Sequence, residues 1–483
     1  MNILLSSAEL DHFAKVGGLA DISTALAIEW EKLGHNPIVV LPKYQCIDHL
    51  EEIEFTDTGL SFTICSLPIH IFKSVIPHTS IPVFLLECDS LYNRPGIYGN
   101  PDGYEDNDLR FFVLCKAAFE VMIALNINID IVSAHDYHTA LLLPLLKLEY
   151  GMNPLFQHTK GVLTIHNAQY QGFYEINRVS TFTQWDLSSK DIQSPFLFDN
   201  KFNALYTGIN FADAIIAVSP GYANEILTHE FGEGLHDVFQ QHKHKLHGIL
   251  NGVNYDSWNP ENDKYISEHF SLQDRNGKQK GKLKLLTSKI GMIEPDALPL
   301  FGIVSRFTSQ KGFDILHGCI EQLLEEKKLH LIVLGSGDVQ YEEYFAHLKD
   351  TFPNHCSFTS GYDEVLAHEI LAYSDFFLMP SVFEPCGLTQ LYALKYGTIP
   401  IVRKVGGLKD TIEDFQIMNG TGNGITFSAF NSDSLLTSIQ IALEYFEHSD
   451  IMNTIIRNAM KSNFPIGNTA KEYISLFKEL LTH

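Results

Sequence analysis

Short, continuous runs of apolar and β-branched residues recur along the chain, separated by stretches with helical patterning. In the first half they are Ile3-Leu4-Leu5, Ile38-Val39-Val40-Leu41, Val83-Phe84-Leu85-Leu86, Ile129-Asp130-Ile131-Val132, Gly161-Val162-Leu163-Thr164-Ile165 and Ala214-Ile215-Ile216-Ala217-Val218. Runs without polar alternation suit strands buried on both faces of a parallel sheet. The pattern restarts with Leu300-Phe301-Gly302-Ile303-Val304, Leu329 to Leu334, Asp375 to Met379 and Thr398 to Val402. Two doubly wound, Rossmann-like α/β domains are therefore predicted. Between the first two runs, Leu19, Ile22, Leu26, Trp30 and Leu33 share one face of a helix. Ala470, Tyr473, Ile474, Phe477 and Leu480-Leu481 predict a closing helix over 468–483. The intervening Asn251-Gly252-Val253-Asn254 reads as a turn. The polar stretch 274–284, with Arg275, Lys278, Lys280, Lys282 and Lys284, reads as a solvated loop rather than a binding patch, because no aromatic residues interleave with its charges.

At 483 residues the chain corresponds to about three units of ~150, a count that large α/β domains reduce to two. A charged fraction of 19% against 45% apolar describes a globular chain. No apolar run approaches the length of a membrane helix, and the N-terminus passes directly into a strand pattern without a basic signal region. A cytoplasmic protein is the expectation. The net charge of −24 opposes nucleic-acid and anionic-membrane binding, both of which need a long-range positive field. It still permits a small anion held by a few focused cations. Seven scattered cysteines, without Cys-x-x-Cys spacing, read as reduced thiols rather than a zinc module. His242, His244 and His247 lack metal-ligand spacing and read as solvated.

The pentapeptide Lys-Val-Gly-Gly-Leu occurs twice, at 15–19 and 404–408, each time between a strand pattern and an amphipathic segment. Paired glycines there allow close backbone approach, and unpaired helix N–H groups favour an anion. A tight connection is the alternative for either copy. In the second half, Arg306-Phe307-Thr308-Ser309-Gln310-Lys311-Gly312 places two cations after a strand, where open α/β sheets bind ligands. A surface ion pair is the competing reading. The block from Pro380 to Ala393 also follows a strand, so Glu384 projects from a strand end and Cys386 to Thr389 offer a helix N-terminus. Glu384 could equally cap that helix. Cys386 reads as a packing or backbone-contact residue, since the motif holds no histidine to activate it.

Taken together, Lys15-Val16-Gly17-Gly18-Leu19-Ala20-Asp21, His135-Asp136-Tyr137-His138, His166-Asn167, Asn251-Gly252, Ser305-Arg306 with Gln310-Lys311-Gly312, Gly361-Tyr362, and Glu384 through Leu391 follow an order that resembles bacterial glycogen synthases and plant starch synthases. The resemblance spans essentially the whole chain. It implies the GT-B architecture, two Rossmann-like domains facing a deep cleft: residues 1–255, residues 256–460, and a terminal helix at 461–483 returning to the first domain. It implies retaining transfer of glucose from ADP-glucose to the 4-hydroxyl of an α-1,4-glucan such as glycogen, with no metal cofactor.

The same resemblance implies roles residue by residue. Glu384, His166, Arg306 and Lys311 form the catalytic set. Lys15, Gly17, Gly18, Asn167, Asn251, Tyr362, Cys386, Gly387, Leu388 and Thr389 bind the donor. Asp21, Asp136 and Tyr137 face the acceptor or shape the sugar pocket. Cations and N–H dipoles on the departing ADP phosphate suit a reaction that develops negative charge there. Two departures stand out. Tyr392 occupies the place of the second glutamate found in many retaining GT-B enzymes, as in this branch, and Tyr137 replaces the usual tryptophan after His-Asp. A GT-B nucleotide-sugar epimerase, a UDP-glucose-dependent glucosyltransferase and a noncatalytic glucan-binding protein are the alternatives.

Overall fold

The computed structural model describes residues 1–51, 53–99, 103–185, 187, 194–292 and 297–482. The final position of the expected closing helix, His483, lies outside the described residues. The chain divides into two compact units, Met1–Asn251 with Ile466–His483, and Gly252–Pro465. No described helix is long and apolar enough to cross a membrane.

The first unit is built on nine strands: β1 (Asn2–Ser6), β2 (Asn36–Pro42), β3 (Thr56–Ile64), β4 (Leu67–Val75), β5 (Pro82–Glu87), β6 (Ile131–His135), β7 (Lys160–Ile165), β11 (Ala214–Ala217) and β12 (Leu246–Gly248). A separate small antiparallel sheet holds β8 (Phe173–Tyr174), β9 (Leu197–Phe198) and β10 (Lys201–Asn203). The main sheet has the order β12-β11-β7-β6-β1-β2-β5-β4-β3. From β12 to β5 all neighbours run parallel, and the predicted apolar runs form its centre, with Ile3, Leu4 and Leu5 fully buried. The hairpin β3–β4 adds two antiparallel strands at one edge. Its half-exposed, Thr- and Ser-rich alternation is not a continuous apolar run, so sequence patterning passed over it.

Leu19, Ile22, Leu26 and Trp30 are buried on the helix Gly18–Lys32. Leu33, expected on the same face, is instead the partly exposed C-cap. The C-terminal helix Ile466–Thr482 packs on this helix, with Tyr473 and Phe477 rings 6.0 and 5.6 Å from Trp30. Thr469 Oγ1 donates to the Leu250 carbonyl at 2.7 Å, tying the chain end to the segment after β12.

The second unit carries six parallel strands, β13 (Leu300–Phe307), β14 (His330–Gly337), β15 (Cys356–Ser360), β16 (Phe376–Met379), β17 (Ile399–Arg403) and β18 (Ile425–Phe427), in the order β15-β14-β13-β16-β17-β18. The lysine-rich stretch corrects an expectation: it begins the helix Asn276–Ile290, not a solvated loop. Lys278 is buried, and its ammonium donates to the carbonyls of Ala372 and Tyr396 and to Thr398 Oγ1 at 2.6, 3.2 and 2.7 Å. Lys282 pairs with Asp375 at 2.6 Å. These amines anchor the helix to strand and helix ends distant in sequence. The histidine run is a second correction. His242 is part-buried, with Nε2 3.0 Å from Asn210 Oδ1, and burial pulls its pKa down to about 4. His247 is half-buried, and only His244 of the three is exposed.

Candidate active site

In the first unit β1, β6, β7, β11 and β12 run in one direction, so the segments leaving their carboxyl ends lie along one sheet edge. The segment after β1 carries the first Lys-Val-Gly-Gly-Leu. Its amides are not idle. The buried Glu9 carboxylate accepts the Val16 and Gly17 N–H groups through Oε2 at 2.7 and 2.8 Å, and Tyr98 OH donates to Oε1 at 2.5 Å. An internal anion thus shapes the turn just before the helix that starts at Gly18. Lys15 lies 2.6 Å from Asp21 and 3.5 Å from Asp11. Burial raises the Asp21 pKa, with Lys15 pulling in the opposite direction.

At the ends of β6 and β7, Asp136, Tyr137, His166 and Asn167 come together. Asp136 is buried with φ of 55°, a left-handed conformation that aspartate tolerates better than most residues. That turn aims its Oδ1 at the backbone N–H of His166 and Asn167, 2.7 and 3.3 Å away. Burial is the main reason its pKa rises to about 7, against the lowering effect of those two N–H bonds. The Tyr137 ring is partly buried, 3.8 Å from the His138 ring and edge-on to Phe111. It is held as a wall more than offered as an open platform. Asn251, beyond β12, is buried, with its N–H on the Val218 carbonyl at 3.2 Å.

In the second unit the loops after β13 and β16 meet. Arg306 is exposed near the end of β13, and Lys311 reaches Glu384 Oε2 at 2.7 Å. Ser381 Oγ donates to the same oxygen at 3.0 Å, and Glu384 is buried. Val382 N–H donates to the Gln310 carbonyl at 2.8 Å, and Gln310 Nε2 to the Phe383 carbonyl at 3.2 Å, stitching the two loops together. Gly312 has φ of 72°, and a Cβ there would sit 2.1 Å from the Pro380 carbonyl oxygen. Only glycine permits that approach. Glu384 does not cap the helix Thr389–Lys395, whose N-cap is Leu388 without a side-chain cap bond. Cys386 is buried and its carbonyl accepts Gln390 Nε2 at 3.1 Å. Gly387 adopts φ of 72° just before Leu388 and Thr389. Tyr362, 74% exposed, follows β15.

The second Lys-Val-Gly-Gly-Leu supports this loop. Gly407 N–H donates to the Glu384 carbonyl at 3.0 Å, and a Cβ on Gly407 would lie 2.3 Å from the Cys386 carbonyl oxygen. Tyr392 stacks on Trp258 at 3.8 Å and 4°, and Trp258 stacks on His368 at 3.8 Å and 11°. The position of a second glutamate elsewhere is here the end of an aromatic stack.

Of the site residues named from sequence, the structure joins Asp136 to His166 and Asn167, Lys15 to Asp21, and Lys311 to Glu384, while the others lie at the ends of strands of their own unit or in the segments that follow them. Glu9, Ser381 and Gly407 were missed as supports. The repeated pentapeptide flagged Gly407, but nothing in the spacing linked it to Glu384, and Glu9 is a lone carboxylate whose partners appear only in three dimensions.

Residues 2–241 match the family model described as starch synthase catalytic domain, and residues 293–459 match glycosyl transferases group 1. The chain is 38% identical to the glycogen synthase of Bacillus subtilis, covering 99% of this chain and 98% of the relative. It is also 38% identical to the glycogen synthase of Clostridium kluyveri, with full coverage of both. Among solved structures it is similar to the catalytic domain of starch synthase IV from Arabidopsis thaliana bound to ADP and acarbose, at a TM-score of 0.91, 29% identity, and coverage of 100% and 99%. Matched over its whole length in sequence and fold, the chain belongs to the glycogen synthase and starch synthase family of GT-B glycosyltransferases.

Proposed function

We propose that this enzyme transfers glucose from ADP-glucose to the non-reducing 4-hydroxyl end of an α-1,4-glucan, with retention at the anomeric carbon, and releases ADP. The observation that carries the reading is the Lys311–Glu384 pair at the meeting of two strand-end loops, within a chain 38% identical to glycogen synthases over its full length. Arg306, Lys311 and Lys15 are assigned to the diphosphate, with the Gly17-Gly18 turn and the Leu388-Thr389 amides beside it. Tyr362 is assigned to the base. His166, Asn167, Asn251, Glu384, Cys386 and Gly387 are assigned to the donor glucose, and Asp21, Asp136 and Tyr137 to the acceptor side or the sugar pocket.

The chemistry follows from charge. As the anomeric carbon–oxygen bond breaks, negative charge moves to the phosphate and positive charge to the sugar ring. Fixed cations stabilise the first and the Glu384 carboxylate the second. The acceptor 4-oxygen bonds to the same face, and its proton passes to the departing phosphate oxygen. No covalent glucosyl-enzyme is required, and mass-spectrometric trapping of a glucosyl-Glu384 adduct would count against this step. We assign the charge-stabilising role to lysine and arginine rather than to a metal, so activity should survive chelator treatment. We also place the enzyme in the cytoplasm, acting on ADP-glucose and glycogen or another α-1,4-glucan rather than on nucleic acid or a membrane.

Purified protein is to be incubated with glycogen and either ADP-glucose or UDP-glucose, and nucleotide release and chain extension measured. Faster extension with ADP-glucose is expected. Preference for UDP-glucose would reassign the donor, and absence of both release and extension with either donor would refute the synthase reading.

A further inference from the structure

His135 is fully buried at the end of β6 and has no part in the assignments above, yet its ring has polar neighbours on both sides. Its Nδ1 lies 2.9 Å from His166 Nε2, and its Nε2 lies 3.2 Å from the Oγ of Ser133, also fully buried. The ring planes are 24° apart and the centroids 5.2 Å apart. That centroid separation exceeds the nitrogen–nitrogen distance by roughly the two ring radii, so the hydrogen bond runs edge to edge, along the lone-pair direction. Ser133, His135 and His166 form one connected chain across the ends of two neighbouring strands.

Proton accounting gives this chain a direction. Burial holds both rings neutral, pulling His166 down to about 4 and His135 well below its ordinary value. A neutral imidazole has one donor nitrogen and one acceptor nitrogen. Among the described residues His135 is the one hydrogen-bond partner of the Ser133 hydroxyl. A buried hydroxyl in that position avoids an unsatisfied proton by donating it. His135 Nε2 therefore accepts, His135 Nδ1 donates, and His166 Nε2 accepts in turn. The remaining proton of His166 sits on Nδ1.

We propose that Ser133 and His135 are positioning residues that hold the His166 ring in one orientation and in the Nδ1–H tautomer, so that His166 meets the donor sugar as a hydrogen-bond donor. The proposal rests on the assignment of His166 to the donor glucose. Asp136 reinforces it from the backbone side by holding the His166 N–H.

Nitrogen-15 spectra of the histidine-labelled full-length protein test the tautomer directly, with the His166 signals identified by their loss in His166→Gln. The wild type should show a protonated Nδ1 and a pyridine-type Nε2. In Ser133→Ala both His166 shifts should move toward averaged values, and the donor KM should rise several-fold with little change in thermal stability. A wild-type Nε2–H tautomer overturns the proposal, and so does a Ser133→Ala protein with unmoved His166 shifts, whatever its kinetics. His135→Asn, which keeps a polar group near the Nδ1 position, should retain more activity than His135→Phe; equal activities also count against it. If instead His166→Gln leaves the donor kinetics unchanged, the sugar assignment of His166 falls while the tautomer result stands on its own.

Discussion

The Lys311 ammonium lies 2.7 Å from Glu384 Oε2, so a cation assigned to phosphate and a carboxylate assigned to sugar neutralise each other when no donor is bound. Replacing the carboxylate by an amide frees the cation while removing the charge assigned to the sugar ring. Glu384→Gln should therefore cut turnover on the order of 10²-fold or more, the scale of losing one transition-state electrostatic contact. ADP affinity should be unchanged or tighter. Turnover and calorimetric ADP binding measured on the same preparation separate the two effects, and an equal loss in both would make Glu384 a general binding residue.

Lys15 should be dispensable for folding, because it is exposed and shares Asp21 and Asp11 at the surface. Exposed pairs of this kind add little stability. Lys15→Ala should weaken donor binding by about 1.5–3 kcal/mol, the range for a hydrogen bond to a charged group. Unchanged donor KM and turnover would remove Lys15 from the phosphate site. Glu9 acts one step earlier, through the Val16 and Gly17 amides. Glu9→Ala should raise the donor KM and lower stability by about 1–3 kcal/mol, since it leaves those N–H groups without their acceptor. Glu9→Gln retains an oxygen for them and should recover most of both losses. A Glu9→Ala enzyme with wild-type donor KM would separate this carboxylate from the site.

Asp136 gives a pH test with a defined sign. Its folded pKa is raised from 3.8 to about 7, mainly by burial. Between those values the folded protein keeps a proton that the unfolded chain has released. The contribution to stability is therefore complete below the unfolded pKa and is lost as pH rises toward 7. Asp136→Asn removes the titration and tolerates the left-handed backbone. Relative to that variant, wild type should lose up to about 4 kcal/mol of stability from pH 4 to 7 in denaturant titrations. Parallel stability curves for the two proteins would contradict the raised pKa.

The parallel strands were legible because their sequences need no partner to be recognised: Leu4 or Val40 is buried on either face whatever lies beside it. The candidate site residues were named from motifs, and the structure places them at the ends of strands or in the segments that follow, with Asp21 and Thr389 already in the first turn of the helices beyond. What escaped was relational. Lys278 looks like a solvated lysine until carbonyls about a hundred residues away receive its ammonium. The β3–β4 hairpin is visible only as an edge that one-sided burial permits. Glu9 is a single polar residue beside a recognised motif and His135 stands inside one without an assigned role; the importance of both lies in atoms they meet only after folding.

The two pentapeptides make the sharpest contrast. Gly17 has φ of −156°, which any residue can adopt, and a Cβ there would meet nothing within 4 Å. Gly17→Ala should fold normally, with stability unchanged or raised by about 0.4–1 kcal/mol through the unfolded chain. Any defect should appear as a higher donor KM, from a methyl group placed where the backbone is expected to approach phosphate. Gly407 has no such room: its Cβ would lie 2.3 Å from the Cys386 carbonyl oxygen and 2.5 Å from the Cys386 Cα. Gly407→Ala must push the Glu384–Cys386 segment away, at a cost of about 1–3 kcal/mol for overpacking. Because the Gly407 N–H also holds the Glu384 carbonyl, turnover should fall with stability. Thermal melts and donor kinetics on both variants decide the matter. A Gly407→Ala enzyme with wild-type melting temperature and turnover would show that the second copy is a simple connection, while an unstable Gly17→Ala would show that the first glycine serves the fold.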